Sequence, residues 1–194
     1  MPIPFQDVDE ADVPGSAGFL KIERSADGAC CLGALFVVNP RGEPLEFAYN
    51  RVTAPRPFLW RQADLRRHVE RRLTASLLSV CTHQPRLLLC LADEVSASLF
   101  SQDITLDVPV GLVGEPVAPR RLVDQETGEV LDEEAAPEQV SWLPAPPGAG
   151  SAERRLFDHL ASHGLLREPF ERATIGLREV YASGPRPAGA SDRE

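Results

Sequence analysis

The sequence predicts an α/β (α+β) protein: an antiparallel three-stranded meander, a crossover helix and further strands in a mixed sheet, extended by a β-hairpin and two C-terminal helices. Three observations carry this. Between residues 18 and 50, short apolar segments are separated by turn-forming pairs. Between 65 and 80, apolar residues recur at helical spacing. Residues 87–92 then form a short, uninterrupted apolar run, as a strand buried on both faces requires.

In chain order, residues 1–16 read as an acidic, flexible tail. Pro2, Pro4 and Pro14 deny it a helix, and its few apolar residues could dock only in extended form. The core domain is expected over 17–131. Phe19, Leu20, Lys21, Ile22 and Glu23 form the first strand, and Asp27-Gly28 is a hairpin turn. Residues 30–38 are apolar at both parities, so this second strand should be central and covered on both faces. Asn39-Pro40-Arg41-Gly42 reads as a type I turn before the third strand, 45–49. Pro55 and Pro57 precede a helix over about 60–83, closed by Pro85. Its apolar face is Leu65, Val69, Leu73, Leu77 and Val80. Residues 95–101 suggest a helical turn, and 104–113 alternate as a further strand in which Pro109 favours an edge or bulge. A hairpin is expected where 122–124 and 129–131 flank Gln125-Glu126-Thr127-Gly128. A Pro-, Ala- and Glu-rich linker spans 132–150, with Trp142 and Leu143 placed to touch the core. A C-terminal helical pair covers 151–182: Ser151 caps the first helix, Gly164 stops it, and Glu168-Pro169 opens the second. Residues 183–194 read as a disordered tail.

Composition sets bounds on function. Of 194 residues, 43% are hydrophobic, which excludes disorder throughout. No apolar run approaches the ~18 residues of a membrane span, and the N-terminus lacks the basic start and apolar stretch of a signal peptide, so a cytoplasmic protein is expected. In that compartment Cys30, Cys31, Cys81 and Cys90 stay reduced. Cys81, His83 and Cys90 match no zinc spacing, and His159 and His163 lack the glutamate of a metalloprotease helix, because Leu160 follows His159. No resident metal is therefore expected. There is no nucleophile elbow, and Gly111 and Gly114 make neither a phosphate loop nor a dinucleotide fingerprint, so ATP and nicotinamide cofactors are not expected.

The net charge of −9 is polarised. Residues 51–72 hold seven arginines against Asp64 and Glu70, a local balance of +5, while the remainder carries −14. On the helix, Arg61, Arg67, Arg71 and Arg72 fall away from the apolar stripe, and Arg66 lies near its border, where it can snorkel. Arginine forks of this kind bind phosphate or an acidic protein partner. Phe58 and Trp60 could stack on bases beside them, although Phe58, Leu59 and Trp60 are expected to enter the core.

The order of elements over 18–113 resembles the ribonuclease H-like fold, in topology only. That resemblance implies a metal-dependent nuclease, in which carboxylates from the first strand, the helix and the end of the fourth strand hold two Mg2+ or Mn2+ ions. Asp93 and Glu94 stand at the end of the fourth strand, and Glu70 or Asp64 represents the helix. The first strand offers Glu23 near its end, but Lys21 occupies its middle, where the pattern has an aspartate.

Because no catalytic set is complete, the leading expectation is a non-catalytic accessory or adaptor subunit of a larger bacterial-type assembly that handles nucleic acid, with the balance against an enzyme. It would dock a protein partner, with nucleic acid as a second ligand and no membrane contact. The alternatives are the nuclease, using Asp93, Glu94, Glu23 and Glu70, and a nucleic-acid-binding module using Arg61, Arg67, Arg71 and Arg72. The sequence is silent on oligomeric state.

Overall fold

A computed structural model of the chain describes residues 2–4, 15–25, 28–115, 121–123, 130–132 and 139–182. Most of the acidic tail, the turn of the second hairpin, residues 133–138 of the linker and the C-terminal tail lie outside the described residues.

The strands are β1 (Pro2–Pro4), β2 (Ala17–Arg24), β3 (Cys30–Val38), β4 (Pro44–Thr53), β5 (Leu87–Leu91), β6 (Val110–Val113), β7 (Arg121–Val123), β8 (Val130–Asp132) and β9 (Val140–Leu143). The helices are α1 (Gln62–Val80), α2 (Ala152–Ser162) and α3 (Glu168–Ala182). Among the described residues a seven-stranded sheet runs in the order β1-β4-β3-β2-β5-β6-β9, and β7 pairs with β8 separately. The meander β2-β3-β4 is antiparallel, whereas β5 lies parallel to β2 and β6 parallel to β5. Numbered from the first long strand, this is the 3-2-1-4-5 order of the ribonuclease H-like fold.

Local chemistry explains the meander. Gly28 takes φ +67° and donates to the Ser25 carbonyl at 2.9 Å, so the β2–β3 turn closes at a residue without a Cβ. At the β3–β4 turn the Asn39 side-chain oxygen accepts from the backbone N–H groups of Arg41 and Glu43, both at 3.0 Å. Proline lacks an N–H, which confines β1 to the sheet edge, where Ile3 stands opposite Phe47.

Side-chain parity divides the core into two layers. Leu20, Ile22, Leu35, Leu88 and Cys90 face Val69, Leu73 and Leu77 of α1. Phe19, Phe36, Leu87 and Leu89 face Leu156 and Leu160 of α2 and Phe170, Ala173 and Leu177 of α3. At Gly33 an added Cβ would lie 2.8 Å from Leu73 Cδ2, so the missing side chain is what lets α1 approach β3.

Three local expectations are corrected. The strand expected over 104–113 is confined to Val110–Val113, because Leu99–Asp103 turn as a π-helix and Pro109 has no N–H to donate to the ladder. Val80, expected on the core face of α1, is 36% exposed at its last residue. Phe58 and Leu59 do not enter the core: they are 74% and 79% exposed, and Trp60 is 39% exposed. Pro55 and Pro57 hold this lead in a short 3-10 turn, Pro57–Leu59, and the buried stripe of α1 begins only at Leu65.

Candidate functional site

At the carboxyl end of β5 the chain reverses sharply. The N–H groups of Glu94 and Val95 both donate to the Leu91 carbonyl at 3.1 Å, and this turn swings Glu94 back over β2. The parallel pairing of β2 with β5 ends at Leu20 opposite Cys90. Beyond it the Ile22 N–H donates to Glu94 Oε2 at 3.2 Å, so the carboxylate continues the ladder where the backbone no longer can. The other oxygen, Glu94 Oε1, pairs with Lys21 Nζ. Lys21 has the odd parity of Phe19 and faces the α3 side, against a cleft of about 100 Å³ lined by Leu91, Arg167, Phe170, Glu171 and Thr174.

A second ion pair sits across the strand. Arg24 donates to Glu70 and, at 2.9 Å, to the Glu94 backbone carbonyl. Arg66 Nε also donates to Glu70 Oε1 at 2.7 Å. The Glu70 side chain is only 1% exposed, and a carboxylate this deeply buried needs charged donors to offset its lost hydration. Glu94 and Glu70, expected from strand end and helix, are therefore both brought to β2, but each is held by basic side chains. Asp93 is exposed and Glu23 half-buried, and neither makes a side-chain hydrogen bond or ion pair with a described residue. Among the described residues no group of three His, Cys, Asp or Glu side chains could hold a metal ion. The donor set does not fit the two-metal centre of the ribonuclease H-like pattern.

On α1 and at its N-cap the arginines divide into two groups. Arg67 is committed to Asp103 through a two-pronged bond of 2.6 and 2.8 Å. The guanidinium's bond and charge hold the Asp103 carboxyl below its usual range. Arg61, Arg71 and Arg72 are exposed and make no side-chain ion pair with a described residue. With His68, Arg61 and Arg72 recur at spacings of seven and four and fall on one line of the helix. Trp60 lies against His68 with ring centroids 5.0 Å apart. Phe58, Leu59 and Trp60 thus project from the start of the same helix that carries Arg71 and Arg72.

The sequence reading missed the cations beside the carboxylates, although one signal was present. Lys21 is the chain's only lysine and stands inside an apolar strand, and a buried ammonium requires a partner. It also missed Glu46, which is fully buried on β4 and accepts from Thr82 N, Thr82 Oγ1 and His83 N at 2.7–2.9 Å. Glu46 ties the end of α1 to the sheet. The expected metal-spacing residues are placed as follows. Cys81 Sγ approaches the His83 carbonyl at 3.1 Å, burial and the Glu46 charge push its thiol up to about 12, and His163 Nδ1 lies 2.8 Å from the His159 carbonyl.

No family model matches the sequence, and no curated protein is similar to it. Solved structures similar in shape include three endonucleases. Endonuclease V from Streptomyces avermitilis is 15% identical with a TM-score of 0.48, covering 88% of this chain and 86% of that one. Endonuclease V from Bacillus subtilis is 14% identical with a TM-score of 0.49, covering 86% and 80%. Endonuclease V from Ciona intestinalis, solved with a 24mer DNA containing an inosine followed by a ribo-adenosine, is 11% identical with a TM-score of 0.47, covering 87% and 86%. All three are nucleases. The expectation of a non-catalytic accessory or adaptor subunit, and with it the balance against an enzyme, is contradicted by this likeness. The likeness is one of fold. No helix among the described residues is long and apolar enough to cross a membrane.

Proposed function

We propose that the chain is a nuclease-type protein that acts on nucleic acid, and that the exposed face of α1 with its aromatic lead holds a single strand of it. The observation that carries this reading is the exposure of Phe58 and Trp60 directly before a helix whose Arg61, Arg71 and Arg72 have no side-chain ion pair with a described residue. Large apolar side chains are costly to leave in water, and a contiguous group of them marks a binding surface. A base offers an apolar π-face to an aromatic ring and a phosphate to a guanidinium, so one strand satisfies both halves of the surface. An acidic peptide would satisfy the arginines alone. Paired bases cannot reach the rings, so single strands are the preferred ligand.

The test is fluorescence anisotropy with labelled single-stranded and duplex oligonucleotides, with the products run on a denaturing gel to score cleavage. The expected result is tighter binding of the single strand, weakened about tenfold or more by Phe58→Ala with Trp60→Ala, at ~1–3 kcal/mol per stacked base. Arg71→Glu with Arg72→Glu should weaken binding and flatten its salt dependence. Equal affinity of wild type and both double variants would remove α1 from the account.

A further inference from the structure

We infer that the carboxylates at the end of β2 are served by resident cations rather than by divalent metal. A metal of the Mg2+ or Mn2+ type needs several oxygen donors converging on one point. Here both oxygens of Glu94 are taken, one by Lys21 and one by the Ile22 N–H. Glu70 Oε1 is shared by Arg24 and Arg66 inside a nearly closed environment. Lys21, Arg24 and Arg66 are the groups that occupy these two glutamates, where a bound dication would have to displace them. Lys21 also fills the middle of the first strand, where the ribonuclease H-like pattern requires a carboxylate. Lys21 thus neutralises Glu94, and Arg24 and Arg66 neutralise Glu70. A cluster neutralised by covalently attached cations is always loaded and does not respond to metal supply.

This inference rests on the strand-end geometry and not on the α1 surface, so the two can fail separately. Its test is Mn2+ titration of the full chain, followed by the free-ion electron paramagnetic resonance signal and by calorimetry, in the wild type and in Glu94→Gln and Glu70→Gln. Circular dichroism confirms that each variant is folded. The expected result is no binding at millimolar affinity or tighter that depends on either glutamate. Binding that survives both substitutions comes from elsewhere on the acidic surface and leaves the cluster metal-free, as inferred. Stoichiometric Mn2+ binding abolished by either substitution would overturn it. Lys21→Asp supplies a positive control: it removes the ammonium from Glu94 and adds a carboxylate beside it, and is expected to create Mn2+ affinity that the wild type lacks. Failure of a folded Lys21→Asp variant to bind, together with glutamate-dependent binding by the wild type, would also contradict the inference.

Discussion

Single buried charges decide much of this structure, and Glu46 shows how. Burial alone would raise its pKa, but the N–H groups of Thr82 and His83, the Thr82 hydroxyl and the His83 ring outweigh that and hold it below the ordinary carboxylate value. A depressed folded-state pKa contributes stability that is fully present above the unfolded value, about 4.3, and is lost as pH falls through the folded value. Glu46→Gln should therefore cost about 2 kcal/mol at pH 7, measured by urea unfolding, because it leaves buried donors poorly matched. The difference from wild type should shrink below pH 4; a constant difference down to pH 3 would rule out the ionised carboxylate as its source. Of these groups the sequence displayed only the oddity of a lysine in an apolar strand. The pairing of Lys21 with Glu94, and of Arg24 with Glu70, depends on contacts 73 and 46 residues apart, which no local pattern encodes. Asp93 and Glu94 are neighbours that read alike, yet the turn after β5 turns one towards β2 and leaves the other in water.

At the level of elements, periodicity was a sound guide wherever one face is buried. The meander, α1, β5 and both C-terminal helices follow from alternation, helical spacing and caps; Ser151 Oγ, for example, accepts from Arg154 N at 3.1 Å. The pattern over 104–113 misled because alternation can arise in an irregular segment that packs side by side without a ladder. Leu106 and Val108 lie against the α1 layer although neither is in a strand. Likewise Phe58, Leu59 and Trp60 read as core because apolarity carries no direction; the proline-fixed turn before α1 supplies it. The seat of α1 can be tested directly. Gly33→Val should destabilise by roughly 1–3 kcal/mol, because its first added carbon meets Leu73. Leu73→Ala alone should cost ~2–5 kcal/mol through an unfilled space. The double variant should cost clearly less than the two single costs combined, read from unfolding midpoints. Strict additivity would mean that Gly33 is not what sets the distance between helix and sheet.

The whole molecule places two chemically different surfaces on one ribonuclease H-like sheet. At the strand end, carboxylates and resident cations neutralise one another; on the exposed face of α1, arginines and aromatic rings remain open to a ligand. The polarity of charge was legible from the sequence, since residues 51–72 carry +5 against −14 elsewhere. Which arginines lack an ion pair among the described residues was not, because Arg67 is drawn off by Asp103 and Arg66 by Glu70. The acidic remainder repels phosphate, so strand binding should weaken steeply as salt rises only where the unpaired arginines make contact. The central claim, that α1 and its aromatic lead hold a single strand, is tested most directly by the emission of Trp60. The chain has two tryptophans, and Trp142 is packed against Phe157 with centroids 5.0 Å apart, so a Trp142→Phe variant isolates the exposed ring. Titrating that variant with an unlabelled single-stranded oligonucleotide should quench Trp60 saturably, with added salt reversing the effect. Unchanged emission under conditions where anisotropy shows the strand to be bound would place the nucleic acid elsewhere and contradict the account.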